Sequence, residues 1–396
     1  MVARPLIRLR PREGRRARAG APWIFSNEIA GETRGVPRGS LVETRGDDGF
    51  EFGAGYYNPG SLIAVRLLEA PAGAAIGREF FAARIGHALA FRERMFGDPF
   101  YRLVNAEGDR LPGLVIDRFD ETCVVQITSA GMELLLAPLL EALDETLAPR
   151  NVVLRADSPS RSLEGLPSYV RAAKGDVPAH LALEENGARY FADLSGGQKT
   201  GWYYDQRDNR AFIAALARGR SVLDAYCHSG GFALAAAGAG AREICGLDSS
   251  AAALSLADDG ATANGADGVC KFVKADALEE LDRLGAAKQF FDIAICDPPP
   301  FVKSRKDIEA GARVYRKLAK LAARVVATDG LLLLASCSHN ISMERFQSEC
   351  AAGIARAGRR AALIRQAGAA PDHPVHPMLP ETAYLKALVY SFLPSP

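Results

Sequence analysis

The stretch LDAYCHSGGFALAAA, residues 223–237, is a short apolar run that ends near an acid, followed by a turn with two glycines and an alanine-rich segment. The apolar run predicts a strand, and the alanine-rich segment predicts a helix. Glycines allow a tight turn and let the backbone approach a ligand at the N-terminus of the next helix. The stretch therefore predicts a strand, turn and helix with a ligand site at the turn.

Strands and helices alternate around this unit, from about residue 186 to the end of the chain. We predict strands at SVLDAY, EICGLD, CKFVKAD, FDIAICD and GLLLLASCS, and two more at AALIRQAG and AYLKALVYSFL. Helices are predicted between them, including AAALSLADDGATANG and EAGARVYRKLAKLAARVVATDG. Such alternation is typical of an α/β fold with a parallel, doubly wound sheet.

The first half of the chain has a different pattern of apolar runs and turns. Residues 1 to about 72 alternate short apolar runs with glycine and proline turns, which predicts a small β-barrel-like domain. A mixed α+β region follows, with helical periodicity in REFFAARIGHALAFRERMF and strands in LPGLVIDRF and CVVQIT. We therefore predict three domains, with boundaries at 1–74, 75–185 and 186–396.

Composition excludes several classes of protein. The 396 residues are 48% hydrophobic with a net charge of +1, and we find no apolar run of the roughly 18 residues that a membrane span needs. The first 20 residues hold seven arginines and one acid, which does not fit a secretory signal. Seven cysteines without a C-x-x-C spacing indicate thiols in a reducing, cytoplasmic compartment and no metal site.

Ligands of such sheets bind beyond the carboxyl ends of the strands, where four acids occur in series. They are Asp224, Asp248, Asp276 and Asp297. A single strand-end aspartate is usually a helix cap, but four in series are harder to explain in that way. The G-x-G-x-x-G spacing of nicotinamide sites is absent after the first strand.

This arrangement resembles the S-adenosylmethionine site of class I methyltransferases. The resemblance implies that Asp224 lies near the amino acid end of the cofactor, that Asp248 holds the ribose, and that Asp276 reads the adenine amino group. The candidate cofactor-binding residues are Asp224, Tyr226, Ser229, Gly230, Gly231, Phe232, Asp248, Ser249, Asp276, Ala277 and Asp297.

The motif DPPPF, residues 297–301, predicts a pocket for a planar base. Prolines donate no backbone hydrogen bond, so the backbone carbonyl groups and Asp297 would serve as hydrogen-bond acceptors. Pro298, Pro299 and Phe301 would contact the base. The alternative is a turn whose prolines serve geometry alone. D-P-P-aromatic motifs recur in methyltransferases that act on nucleobases turned out of their stack.

The run LLLLASCSHN, residues 331–340, places Cys337 between two serines at a strand end. A cysteine there is most often a small buried hydrophobe. However, methylating carbon 5 of cytosine requires a thiolate to attack carbon 6 first, so Cys337 is our candidate nucleophile, with Asp297 assisting at the ring nitrogen. Cys296 should face the core by alternation, and Cys227 lies in the cofactor turn; both rank below Cys337.

The chain resembles the bacterial 5-methylcytosine methyltransferases of large-subunit ribosomal RNA, the I-type, over essentially its whole length. The specific motifs are GGQKTGWYYDQRDNR, DPPPFVKS with SCS, and DHPV followed by PETAYLK. The resemblance implies an RNA-binding PUA domain, a central domain and a Rossmann-like catalytic domain, with Cys337 as nucleophile. It also makes Lys199, Asp205 and Arg207 candidates for holding cofactor or RNA. For Lys199 and Arg207, the alternative is an ion pair within a solvated hairpin.

Two departures from the family pattern are visible, CHSGG in place of a Tyr-Thr pair before the glycines and Pro300 after the first two prolines. The N-terminal arginines, among them Arg15 and Arg16, fit contact with RNA phosphates, although terminal arginines often serve only solubility.

We predict an S-adenosylmethionine-dependent enzyme that forms 5-methylcytosine in 23S ribosomal RNA through a covalent Cys337 adduct. The alternatives are a methyltransferase acting on a purine nitrogen, with a structural Cys337, and a non-catalytic RNA-binding or ribosome-assembly factor. The expected partner is RNA, with no membrane and no metal, and a homodimer is left open.

Overall fold

The computed structural model describes residues 4–31, 33, 35–194 and 200–394. The chain forms two compact units. The first comprises Met1–Ala179, Leu194–Trp202 and Pro371–Thr382, and the second comprises His180–Asp193, Tyr203–Ala370 and Ala383–Pro396. No helix within these described ranges is both long enough and apolar enough to cross a membrane.

The first unit begins with a five-stranded sheet that has its own small core. Its strands are β1 (Leu6–Arg8), β2 (Trp23–Phe25), β3 (Leu41–Arg45), β4 (Glu51–Tyr57) and β5 (Ile63–Ala70), with one helical turn, α1 (Arg15–Arg18), between β1 and β2. The strand order is β1-β3-β4-β5-β2, and only the β1–β3 pair is parallel. Ile7, Ile24, Val42 and Val65 are buried together. The β-rich fold predicted for this part of the chain is confirmed.

A second five-stranded sheet in the same unit is covered by helices. Its strands are β6 (Phe100–Asn105), β7 (Leu114–Phe119), β8 (Thr122–Ile127), β9 (Asn151–Ala156) and β10 (Tyr169–Lys174), in the order β10-β9-β8-β7-β6. The helices are α2 (Arg78–Met95), α3 (Ala130–Leu134), α4 (Leu136–Leu147) and α5 (Ser160–Leu163). Phe81 and Ile85 of α2, the helix that the sequence predicts, are buried with Leu139 and Leu143 of α4, and both helices pack on this sheet.

The second unit is built on a seven-stranded, mostly parallel sheet. A hairpin, β11 (His180–Glu185) and β12 (Ala188–Asp193), precedes it. The strands of the sheet are β13 (Ser221–Ala225), β14 (Glu243–Asp248), β15 (Cys270–Lys274), β16 (Phe291–Cys296), β17 (Val326–Ser336), β18 (Ala361–Ala367) and β19 (Lys386–Phe392). Their order is β15-β14-β13-β16-β17-β19-β18, with β19 antiparallel to both of its neighbours.

Helices cover both faces of this sheet. They are α6 (Arg207–Ala215), α7 (Gly231–Gly238), α8 (Ala251–Ala263), α9 (Ala277–Ala286), α10 (Ile308–Val325) and α11 (Met343–Arg356). Leu223 and Leu332 enter one hydrophobic cluster, and their neighbours Val222 and Leu333 enter another. Because successive strand side chains point to opposite faces, both faces are buried, which confirms the doubly wound fold.

One boundary differs from the sequence prediction. A helix is predicted up to residue 330, but α10 ends at Val325 and β17 begins at Val326. Adjacent β-branched valines favour a strand over a helix. Asp329 has a positive φ of 61°, and the pairing register between β16 and β17 shifts near this point. The irregular start of β17 therefore precedes the regular run that leads to the candidate site.

Candidate active site

The carboxyl ends of four adjacent strands carry the acids and the thiol that the sequence singles out. Asp224 is the penultimate residue of β13 and Asp248 is the last of β14, while Asp297 and Cys337 directly follow β16 and β17. These strands are parallel neighbours. Their carboxyl ends therefore lie at one edge of the sheet, where such folds bind ligands.

The turn between β13 and α7 has an unusual backbone. Tyr226 and His228 have positive φ angles of 66° and 51°, and Gly230 has a φ of 81°. The N–H of His228 donates to Oδ2 of Asp248 at 2.9 Å, which joins the turn to the end of β14, and Ser229 is completely buried. Non-glycine residues rarely adopt positive φ, and those that do concentrate at ligand sites.

The carboxylate of Asp224 is buried and only partly hydrogen-bonded. Its Oδ2 accepts the N–H of Ala233, in the first turn of α7, at 2.9 Å. Its Oδ1 is buried without a hydrogen-bond partner among the residues that the structure describes. Burial raises the pKa of Asp224 to about 8; the Ala233 N–H opposes this rise, and the charges of Asp297 and Asp248 add to it. A buried oxygen of this kind is a candidate acceptor for a ligand.

Asp248 is available to a ligand because another residue caps the helix that follows it. Oγ of Ser250 accepts the N–H of Ala253 at 3.2 Å and so caps α8. The two oxygens of Asp248 accept the N–H groups of His228 and Ser250, one each. A carboxylate oxygen has two lone pairs, so each oxygen retains one for a hydroxyl group.

Asp276, in contrast, is itself a helix cap. Its Oδ1 accepts the N–H groups of Leu278 and Glu279 at 2.9 and 3.0 Å, at the start of α9. Its Oδ2 has no hydrogen-bond partner in the described parts of the chain. Asp276 therefore has the usual role of a strand-end aspartate and keeps one oxygen for a ligand.

Asp297 is oriented by two buried amides that sequence reasoning missed. Its Oδ2 accepts a hydrogen bond from Nε2 of Gln206 at 2.9 Å. Oε1 of Gln206 accepts one from Nδ2 of Asn209 at 2.7 Å, and the same Nδ2 donates to the carbonyl oxygen of Gly368 at 3.3 Å. These contacts determine which end of Gln206 faces Asp297. The available signal was the polar run DQRDN, residues 205–209.

Cys337 points away from the two serines that flank it. The hydroxyl groups of Ser336 and Ser338 lie 2.7 and 2.8 Å from the hydroxyl of Tyr315 in α10, and all three residues are buried. Because neighbouring side chains alternate in extended backbone, the thiol between the serines lies on the other side. Its Sγ is 3.9 Å from the carbonyl oxygen of Pro298, and the residue is half-buried.

The two competing thiols are in poor positions for a nucleophile. Cys296 is completely buried in a hydrophobic cluster, and burial raises its pKa far above the usual range. Burial also raises the pKa of Cys227, and the charges of Asp224 and Asp248 raise it further. Because the thiolate is the reactive form, these surroundings disfavour nucleophilic attack by either sulfur.

Lys386, the first residue of β19, is a buried lysine that sequence reasoning also missed. It pairs with Ser336 in the β17–β19 ladder and is only 5% exposed. Its Nζ donates to the carbonyl oxygens of Ser338 and Tyr384 at 2.9 and 2.8 Å. Burial lowers the pKa of Lys386 to about 8, and the negative charge of Cys337 acts in the opposite direction. In the sequence, Lys386 ends the motif PETAYLK and begins the apolar run KALVYSF.

Tyr203 lies among the charged groups of this edge. Burial raises its pKa far above the usual range, and the charges of Asp205, Asp297 and Cys337 raise it further. The Tyr384 hydroxyl donates to Oδ2 of Asp205 at 2.5 Å. The segment that precedes α6 therefore contributes to the same site as the strand ends.

Other predicted residues have their side chains engaged elsewhere. Nε of Arg207 lies 3.5 Å from Oε2 of Glu185 in β11, and Arg207 is buried, so its role toward the cofactor stays a prediction. The Phe301 ring packs against Tyr315, with 4.9 Å between ring centroids. Pro298 is buried, whereas Pro299 is exposed.

Among the remaining predictions, the side chains of Phe232 and Ala277 are buried in hydrophobic clusters, which leaves their backbone groups for a ligand, and Ser249 is exposed. Lys199 lies outside the described residues. Arg15 and Arg16 are exposed in the first unit.

Two protein-family models match this chain. A family model described as S-adenosylmethionine-dependent methyltransferase matches residues 170–391, and a PUA-like domain model matches residues 7–70. The second unit thus has the fold and the cofactor of S-adenosylmethionine-dependent methyltransferases. Within that class, the chain belongs to the family that contains ribosomal RNA large subunit methyltransferase I.

Relatives of that name cover nearly the whole chain. The protein from Shewanella amazonensis is 36% identical over 389 residues, covering 97% of this chain and 98% of its own. The protein from Tolumonas auensis is 36% identical over 375 residues, covering 93% and 94%. A putative S-adenosylmethionine-dependent methyltransferase from Streptococcus mutans, 19% identical, has the same fold with a TM-score of 0.84 over 98% of this chain and 100% of its own.

The acceptor groups at the sheet edge fit S-adenosylmethionine. Oδ1 of Asp224 is a buried acceptor without a partner among the described residues, which suits the cofactor's amino group. Asp248 retains lone pairs for the ribose hydroxyls, and Oδ2 of Asp276 is left for the adenine amino group. A solved methyltransferase structure with a TM-score of 0.84 to this chain is described as complexed with SAH.

Proposed function

We propose that the protein methylates carbon 5 of a cytosine in 23S ribosomal RNA through a covalent adduct with Cys337. The names of the relatives support a large-subunit ribosomal RNA substrate. The chemistry is supported by one observation above all. Cys337 is turned away from its buried serine neighbours, toward the loop that begins with Asp297.

The chemistry requires a nucleophile because carbon 5 of cytosine does not attack a methyl donor unaided. The Cys337 thiolate forms a bond to carbon 6, and the electron pair of the ring double bond moves to carbon 5. Asp297, held by Gln206, shares a proton with the ring nitrogen and stabilises the adduct. S-adenosylmethionine, when bound, supplies an electrophilic methyl group. Carbon 5 bonds this methyl group with the electron pair that it gained, and then gives its proton to a base or to water. The electron pair of that C–H bond re-forms the double bond, and the carbon 6–sulfur bond breaks with its electron pair returning to Cys337.

The remaining predicted residues take supporting roles in this proposal. The turn from Tyr226 to Phe232 contacts the cofactor with backbone groups, and Asp224, Asp248 and Asp276 hold its polar groups. Pro298, Pro299 and Phe301 form the wall beside the base, and Lys199 and Arg207 hold RNA or cofactor. The proposed domain limits are 1–74, 75–185 and 186–396, with the first domain binding RNA.

The decisive experiment replaces the thiol. Cys337→Ala should lower the rate of methylation of 23S RNA from cells lacking this protein by on the order of a thousandfold or more. Its affinity for S-adenosylmethionine, measured by calorimetry, should stay unchanged. Cys270→Ala is the matched control, because Cys270 is a half-buried thiol at the opposite end of its strand, and it should keep full activity.

The product is mapped by mass spectrometry of the RNA. Retained methylation in Cys337→Ala, with normal cofactor binding, would contradict the covalent route and favour a purine nitrogen as the target. If the unaltered protein binds RNA and cofactor but methylates no RNA, the non-catalytic alternative is favoured instead.

A further inference from the structure

Two aromatic rings lie together close to the candidate nucleophile. His339, two residues after Cys337, is exposed, and Tyr384 is half-buried. Their ring centroids are 5.2 Å apart, with 32° between the ring planes. Exposed aromatic rings next to a reacting group offer a stacking surface to a planar ligand.

Hydrogen bonds hold both rings in place. Nζ of Lys386 donates to the carbonyl oxygens of Ser338 and Tyr384 at 2.9 and 2.8 Å. This amine therefore connects the residue before His339 to the residue that carries the second ring. The Tyr384 hydroxyl donates to Oδ2 of Asp205 at 2.5 Å. Rings fixed in this way lose little conformational entropy when a ligand stacks on them.

A run of basic residues lies beside the same segment. Nδ2 of Asn340 donates to the carbonyl oxygen of Lys303 at 3.2 Å. The N–H of Val302 donates to Oγ of Ser338 at 3.2 Å. These two contacts hold the start of the run next to the residues that follow Cys337. The exposed cations of the run are Lys303, Arg305 and Lys306.

The acids that follow this basic run are engaged with other residues. Oδ2 of Asp307 accepts a hydrogen bond from Oγ of Ser304 at 2.6 Å, and Glu309 pairs with Arg345 at 3.0 Å. None of the three cations makes an ion pair with any residue that the structure describes. The basic run therefore keeps its positive charge for an anionic partner.

Aromatic rings with cations beside them are the means by which proteins hold single-stranded nucleic acid, since every base has a face that can stack and phosphates attract lysine and arginine. A target base must leave its stack before Cys337 can reach it. The nucleotide next to a flipped base loses a stacking partner, and a protein ring can replace that partner.

We propose that His339 and Tyr384 stack against the base next to the target cytosine, and that Lys303, Arg305 and Lys306 contact the phosphates of the same strand. The inference rests on the proposed function for the identity of the RNA and of the target. Because stacking tolerates any base, these residues supply affinity and position rather than a choice of sequence.

The first test measures how tightly the full-length protein binds the fragment of 23S RNA that it protects from nuclease. Filter binding is done with S-adenosylhomocysteine present, so that no methyl transfer occurs. His339→Ala should bind the fragment about tenfold more weakly. His339→Phe keeps a ring and should bind as tightly as the unaltered protein. Unchanged affinity in His339→Ala, or an equal loss in both variants, would overturn the inference.

An abasic residue on either side of the methylated position locates the stacked base. On one side it should weaken binding by the unaltered protein about tenfold, and it should weaken binding by His339→Ala no further. If the losses add on both sides, the ring does not contact a base next to the target, and the inference is wrong.

The basic run is tested by the salt dependence of binding. Lys303→Ala combined with Lys306→Ala should reduce the slope of log affinity against log salt by up to about 1.4. The matched control combines Lys317→Ala with Lys320→Ala, two exposed lysines of α10, the helix whose end leads to the start of β17. Equal slopes for the two double variants would show that the run makes no phosphate contacts. His339→Ala should keep the full slope, because stacking releases no counterions.

These titrations involve no chemistry, so they are independent of methylation by Cys337→Ala. Retained methylation in that variant refutes the covalent route and leaves the stacking result standing. Normal RNA affinity in His339→Ala refutes the stacking surface and leaves the covalent route standing.

Discussion

At the scale of single residues, the orientation of Cys337 depends on buried hydroxyl groups on the opposite side of the chain. Ser336 and Ser338 both hydrogen-bond to the hydroxyl of Tyr315, deep in the hydrophobic cluster under α10. A serine pair buried in this way fixes the backbone between its members. Polar contacts of its two neighbours, on the opposite side of the chain, therefore help to direct the thiol.

Replacing Tyr315 by phenylalanine tests this orientation. The change leaves two buried serine hydroxyls without their shared partner, so the free energy of unfolding should fall by about 1–3 kcal/mol. The single-turnover methylation rate should fall at least tenfold, while the affinity for S-adenosylmethionine should not change. Urea unfolding and rapid-quench kinetics measure the two effects.

Tyr390→Phe is the control for this variant. The Tyr390 hydroxyl is also buried, but it has no hydrogen-bond partner among the described residues. Its removal should leave stability unchanged or slightly higher, with normal methylation. Equal losses in both variants would show that the tyrosine hydroxyl of residue 315 has no special role.

At the scale of elements, the sequence predicts the site residues that directly follow a strand of the sheet. It does not predict the site residues that other segments of the chain contribute. Asp248, Asp297 and Cys337 end apolar runs, and hydrophobic periodicity locates such ends. Gln206 and Lys386 reach the same edge through the segment before α6 and through β19, which inserts antiparallel beside β17. Strand insertion of that kind depends on long-range pairing, which no local pattern encodes.

The same limit applies to the roles of strand-end acids. Asp248 and Asp276 look alike in sequence, yet only Asp276 caps its helix. The difference is one residue, because Ser250 takes the capping position after Asp248, whereas alanine and leucine follow Asp276. A second capping residue after a strand-end acid is thus a usable sign that the acid serves a ligand.

Asp276→Asn separates capping from cofactor binding. Asparagine caps helices about as well as aspartate, so the free energy of unfolding should be nearly unchanged. Its amide nitrogen would replace Oδ2, and a donor would then face the donor of the adenine amino group. We therefore expect S-adenosylmethionine to bind about tenfold more weakly by calorimetry.

Asp276→Ala provides the comparison, since it removes the cap as well and should cost about 1 kcal/mol of stability. If Asp276→Asn binds the cofactor normally, Asp276 is a helix cap alone and does not read the adenine.

At the scale of the whole molecule, a net charge of +1 hides an uneven distribution. Seven of the first 20 residues are arginines, and those that the structure describes in β1, α1 and the loop between them are exposed. Some are already paired, as Arg16 is with Glu381 and Arg18 with Asp48. Arg15 makes no ion pair with any described residue, so this surface keeps positive charge for an anionic partner.

The double variant Arg15→Ala, Arg16→Ala tests whether this surface contacts RNA. Each lost phosphate contact should reduce the slope of log affinity against log salt by about 0.7 to 0.9, so the slope should fall by up to about two. Arg45→Ala is the matched control, because Arg45 lies on the same sheet and pairs with Glu51. Filter binding of 23S RNA fragments at several salt concentrations measures the slopes.

Because phosphate contacts act alike on all sequences, the loss of affinity should be equal for cognate and unrelated RNA. A loss of affinity confined to cognate RNA would instead show base recognition by these arginines.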